Sequence, residues 1–170
     1  GCCLMVSVQL LFTRRRLIGS LLIRGVTWSA FSHVEIVVGD QVIGASMFGG
    51  VVLTPLKERL SKASYAALVD MPCADANAVK ATALSKLGAG YDYVGLLGIL
   101  FHASWMQVKG RFFCSEFVAW AFSQSGTPLL RAELSRVTPQ HLWMLPAPTQ
   151  TAGTPEALLD CFGRDIEADT

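Results

Sequence analysis

Apolar and polar positions alternate from Met5 to Phe12, with Val6, Val8 and Leu10 on one parity and Ser7 and Gln9 on the other. A period of two predicts a strand. Phe31 to Val38 is rich in β-branched residues and predicts a second strand. Gly39-Asp40 is a two-residue turn of the Gly-X kind, so Gln41 to Ser46 returns as the hairpin partner. Gly49-Gly50 turns again before a strand over Val51 to Thr54, and Tyr65 to Met71 predicts another, ended by Pro72. Between them, Leu56 to Leu60 reads as a helical turn, and Leu17 to Arg24 as a short helix.

The second half changes period. Asp75 to Leu87 reads as a helix stopped by Gly88, and Phe113 to Ser125 as a helix stopped by Gly126. Pro139 to Trp143 has proline in its first turn, as short helices favour. Tyr91 to Phe101 fits a helix or an ordered loop. After Pro146 the chain reads as a linker, with at most a turn over Glu156 to Cys161. Strands followed by helices predict an α+β domain with an antiparallel sheet. The expected division is one domain over residues 1–146 and a C-terminal tail over 147–170.

Composition narrows the class. Hydrophobic residues make up 52% of the 170 residues and charged residues 16%, which excludes a disordered chain. The formal net charge of +1 and a single basic run, Arg14-Arg15-Arg16, argue against a nucleic-acid binder. The apolar stretches are interrupted by Arg24, His102 and Glu116, short of the roughly 20 residues a spanning helix needs. No secretory pattern is visible, because the apolar stretch Leu4 to Phe12 precedes the arginines. Cys2 after Gly1 has the order of a cleaved lipoprotein start, although one dipeptide does not carry that reading. Five cysteines at irregular spacing and three histidines form neither a CxxC pair nor an HExxH site, so no metal is expected. Unpaired cysteines suit a reducing compartment, and a cytoplasmic location is the default expectation.

Two residues stand out chemically. Cys114 opens the helix Phe113 to Ser125, with Val118, Ala121, Phe122 and Ser125 on its side. A thiol in a helix's first turn feels the positive end of the dipole, which favours the nucleophilic thiolate. The competing reading is a buried structural cysteine. His33 opens the strand Phe31 to Val38, and Glu35 shares its face. An imidazole can take a thiol proton while a carboxylate holds its other nitrogen. In the Gly39-Asp40 hairpin, Glu35 faces Gly44, which leaves space over the carboxylate, and His33 faces Ser46. The competing reading is a solvated strand face. His102 and His141 are alternative histidines, each also readable as an ordinary half-buried side chain.

The stretches SHVEIVVGDQVIGAS, GGV, GAGYDYVGLL, RFFCSEFVAWAFSQSG and TPQHLW, over residues 5–145, resemble the circularly permuted papain-like cysteine hydrolases. These form the permuted branch of the NlpC-type superfamily, related to lecithin–retinol acyltransferase, with bacterial and phage-type members. The resemblance implies a papain-like antiparallel sheet packed on helices, with the His strand before the Cys helix. It implies Cys114 as nucleophile and His33 as general base. A Tyr-Asp pair ahead of the cysteine matches Tyr91-Asp92, and a Pro-x-x-Leu turn after the helix matches Pro139 to Leu142. The third residue departs from the pattern. Relatives place a polar residue on the following strand, where this chain has Gly44, Ala45 and Ser46. Glu35 is therefore expected to orient His33. The Cys114 backbone N–H is the expected oxyanion donor, joined by a hydroxyl from Tyr91 or Tyr93. Asp92 reads as a cap, and Glu116 as a cap or an ion-pair partner of Arg111.

The expected function is cleavage of an amide bond through an acyl-enzyme, with peptidoglycan peptides as an implied substrate class and no cofactor. Such a substrate places the protein at the cell envelope. An apolar segment, Gly95 to Met106, motivates a lipid acyltransferase or thiol esterase as the alternative. The alternative of another class is a catalytically silent binding or assembly module on the same fold.

Overall fold

The computed structural model describes residues 6–14, 30–46, 49–91, 111, 112, 114–131 and 134–160. Strands β1 (Ser7–Arg14), β2 (His33–Val38), β3 (Gln41–Ser46) and β4 (Gly50–Pro55) come first. They are followed by helix α1 (Leu56–Ser61), β5 (Tyr65–Pro72) and α2 (Ala76–Leu84). Two short strands, β6 (Gly90–Tyr91) and β7 (Arg111–Phe112), precede α3 (Cys114–Gln124). A 3-10 turn (Leu134–Arg136), α4 (Pro139–Trp143) and β8 (Thr149–Gly153) complete the order, with further helical residues at 155–160.

Six strands form one sheet in the order β4-β3-β2-β1-β5-β8, antiparallel throughout. The expected α+β class, an antiparallel sheet packed against helices, is what forms. The β2–β3 hairpin has the expected register, with Val38 opposite Gln41 and Ile36 opposite Ile43. Its turn requires Gly39, whose φ of 61° disfavours a residue with a Cβ.

Both faces of the sheet are buried. On one, Val8, Leu10, Phe12, Val34, Ile36 and Ile43 pack with Val79 of α2, Phe117, Val118, Ala121 and Phe122 of α3, and Leu142 of α4. On the other, Leu11, Val37, Val42 and Leu68 pack with Leu56 and Leu60 of α1 and with Leu158. Double coverage explains why β2 and β3 read as nearly continuous apolar runs rather than clean alternation.

Several boundaries differ from the sequence expectation. β2 starts at His33 rather than Phe31. Asp75 lies outside α2 as its N-cap, accepting from the N–H groups of Asn77 and Ala78 at 2.8 and 3.1 Å, and the helix ends at Leu84 rather than Leu87. The chain beyond Pro146 is not a linker. Thr149–Gly153 is the edge strand of the main sheet, paired with β5, and Leu158 is fully buried in the second core. An edge strand is held by its backbone, so the sequence TQTAG shows no apolar alternation that would reveal it. The helix expected over Leu17 to Arg24 and the segment 92–110 lie outside the described residues.

Candidate active site

Cys114 is the first residue of α3 and 6% exposed, and it belongs to the first core cluster. The neighbouring Ser115 anchors this end of the helix by donating to the Val137 carbonyl at 2.6 Å. His33 is the first residue of β2, at the end of the strand, with its ring 20% exposed. Glu35 shares the face of Val37, and so lies on the side of the second core, opposite α3. At the sheet's end the imidazole stands beside the Cys114 thiol and also reaches the carboxylate. His33 Nε2 lies 3.3 Å from Glu35 Oε1.

Glu35 is fully buried, so its charge must be matched within the protein. The match is Arg59 of α1, itself only 7% exposed. Arg59 Nη2 donates to Glu35 Oε1 at 2.6 Å, and Nε stands 2.6 Å from Oε2. The second contact lies off the N–H direction, so it is an ion pair rather than a hydrogen bond. Arg59 Nη2 also donates to Thr54 Oγ1 at 3.2 Å. Gly44 makes the carboxylate's place possible, because a Cβ there would stand 2.6 Å from Glu35 Cγ.

The charges reinforce one another. Burial opposes the imidazolium, but the negative charges of Glu35 and Cys114 prevail and raise the His33 pKa from 6.5 to about 9. Burial likewise opposes the thiolate and the carboxylate. The His33 charge and hydrogen bond, with the backbone N–H groups of Val34 and Ser115, hold the Cys114 thiol below its ordinary value. His33 and Arg59 hold Glu35 below the usual carboxylate range. These directions favour a Cys114 thiolate beside a His33 imidazolium, with the Glu35 carboxylate behind the ring. Cys73 contrasts with it, since burial and the charge of Asp75 push that thiol up.

Of the residues expected from sequence, Cys114, His33 and Glu35 come together. Extending the hairpin register sets Ser46 opposite His33, but among the described residues no hydrogen bond joins it to the imidazole. The Tyr91 backbone pairs with Phe112, two residues before Cys114. Tyr93, Asp92 and His102 lie outside the described residues. His141 belongs to the cap of α4, its Nδ1 accepting from the Thr138 N–H at 3.1 Å. Arg59 was not singled out from sequence. The available sign was Leu56, Arg59 and Leu60 at helical spacing, which puts the arginine on the buried face of α1.

No family model matches the chain. It is 26% identical over 188 aligned positions to the probable lipoprotein peptidase YaeF of Escherichia coli K12, covering 91% of this chain and 69% of that protein. Its fold matches the crystal structure of the metalloprotein YiiX from Escherichia coli O157:H7. There the TM-score is 0.66 and the identity 20%, over 88% of this chain and 98% of YiiX. The chain is thus a distant homologue of a probable peptidase and shares the fold of YiiX. Among the described residues no group of three or more His, Cys, Asp or Glu side chains is placed to hold a metal ion. The Glu35 carboxylate is already engaged by a guanidinium.

Proposed function

We propose that the protein is a cysteine hydrolase of peptide or other amide bonds. The observation that carries the reading is the Cys114–His33 pair, with an acidic thiol at a helix start and an imidazole backed by Glu35. Similarity to a probable peptidase supports the same class. Glu35, 3.3 Å from the ring, supports a complete site over the alternative of a silent binding module. The acyltransferase alternative rested on Gly95 to Met106, of which only residues outside the described set are concerned.

With Nε2 turned to the carboxylate, Nδ1 is the nitrogen available to the thiol. The Cys114 thiolate attacks the carbonyl carbon, and the electron pair moves to oxygen. The Cys114 backbone N–H at the helix start is the proposed oxyanion donor. The His33 imidazolium gives its proton to the leaving amine as the C–N bond breaks, and a thioester remains on Cys114. Water attacks the thioester while His33 takes its proton. The thiolate then leaves and the pair is restored. Glu35 keeps the ring oriented and its charge balanced throughout.

The test is a panel of peptide amides, cell-wall peptides and an acyl ester, followed by mass spectrometry of the intact protein. The expected result is turnover on at least one amide and a transient acyl mass on Cys114, both lost in Cys114→Ala. Turnover that survives in Cys114→Ala, or an acyl mass on another residue, contradicts the mechanism.

A further inference from the structure

The guanidinium of Arg59 reaches both oxygens of a fully buried carboxylate that itself faces the catalytic imidazole. It comes from a different element, α1, and is braced by Thr54 at the end of β4. We infer that Arg59 is a positioning residue: its two-point grip fixes Glu35 in the slot left by Gly44, with Oε1 toward His33, and supplies the cation that keeps the site's anions ionised. This deepens the proposed hydrolase reading and rests on it.

The surroundings of Glu35 leave this role to Arg59. Its own strand contributes His33, and the strands beside β2 contribute Leu11 and Thr13 from β1 and Val42 and Gly44 from β3. His33 and Arg59 are the two charged groups that lower the carboxylate's pKa. His33 alone cannot hold both oxygens, because its contact is to Oε1. Without the arginine, the second oxygen would lose its charged partner on the face of the sheet that carries Leu11 and Val37. A carboxylate so placed takes up a proton or turns away from the ring.

The sign of the effect on the thiol follows from charge alone. Loss of a nearby cation raises the pKa of every group that becomes negative. A protonated Glu35 also withdraws the counter-charge that favours the imidazolium, and the thiolate loses its partner. Both effects move the onset of Cys114 thiolate reactivity to higher pH. A merely structural ion pair would change the unfolding midpoint and leave that onset in place.

The experiment is the pH dependence of Cys114 alkylation by iodoacetamide, read by mass spectrometry, in the wild-type chain and in Arg59→Met, Arg59→Gln and Arg59→Lys. Circular dichroism and denaturant unfolding establish which variants are folded. The expected onset rises by about one pH unit in Arg59→Met and Arg59→Gln. Arg59→Gln loses the same charge as Arg59→Met but keeps an amide donor for the carboxylate. Arg59→Lys keeps the charge and is the variant least in danger of unfolding. Its single ammonium cannot grip both oxygens, so its onset falls between wild type and Arg59→Gln. Any folded variant with the wild-type onset, Arg59→Lys included, overturns the inference. A wild-type Cys114 that titrates as an ordinary thiol near pH ~8.5 instead overturns the hydrolase reading on which it rests.

Discussion

His33 shifts Cys114 and Glu35 toward their charged forms, and they shift His33 toward its own, against the burial that opposes all three. The His33 pKa is raised to about 9, with Glu35 the first of the charges that raise it and Cys114 the second. Removing either anion therefore lowers the ring pKa. Imidazole chemical shifts followed against pH should give about 9 for the wild type. Cys114→Ser and Glu35→Gln should each bring the value down. Hydrolysis should rise with pH through the depressed thiol pKa, where the thiolate forms, and fall through about 9, where the imidazolium loses the proton needed by the leaving group. An alkaline limb near 6.5, the ordinary histidine value, would mean that Glu35 and Cys114 do not act on the ring. Gly44→Ala probes the same site by shape, since the new methyl would stand 2.6 Å from Glu35 Cγ. Overpacking of this kind costs about 1–3 kcal/mol, measurable by denaturant unfolding, and it should slow Cys114 alkylation by displacing the carboxylate. The clustering of Cys114, His33 and Glu35 was legible because its signs are local: a helix start, a strand start and a two-residue spacing. Arg59 was not, because its role depends on which face of the sheet α1 covers.

At the scale of elements, the site is the meeting of a strand end with a helix start, and each needs its own anchor. α3 is tied at its first turn by Ser115 to the Val137 carbonyl. Ser115→Ala should cost about 1 kcal/mol and should also slow alkylation of the adjacent Cys114. Asp75→Ala, which removes the N-cap of α2, should cost a similar amount, about 1 kcal/mol, without changing the thiol's reactivity. Equal effects of the two substitutions on Cys114 would contradict the claim that the α3 anchor has a special place. The register of the β2–β3 hairpin was readable to the residue because Gly39-Asp40 admits one register and the buried face enforces it. The helix ends were less legible, since Ser85 to Gly88 continue as turns after the last α-helical residue.

The whole molecule is a sheet covered on both faces, and the site uses both covers. The thiol comes from the layer of α2, α3 and α4, and the carboxylate is neutralised from the layer of α1. The second layer includes Leu158, so the segment after Pro146 supports the side of the sheet on which Glu35 is held. Leu158→Ala should destabilise the protein by about 2–5 kcal/mol, as read by chemical denaturation. An effect within experimental error would mean that the C-terminal segment is dispensable. The α+β class was legible from the succession of strands and helices. The sixth strand was not, because β8 joins the sheet through its backbone pairing with β5 and carries no hydrophobic alternation. The most direct test of the paired thiol and imidazole is alkylation by iodoacetamide at pH ~5–6, below an ordinary thiol's range. It compares Cys114 with Cys73 in the wild-type protein and in His33→Ala. The ion pair predicts fast, selective labelling of Cys114 that His33→Ala largely removes. Labelling of Cys114 no faster than Cys73, or equally fast without His33, would contradict it.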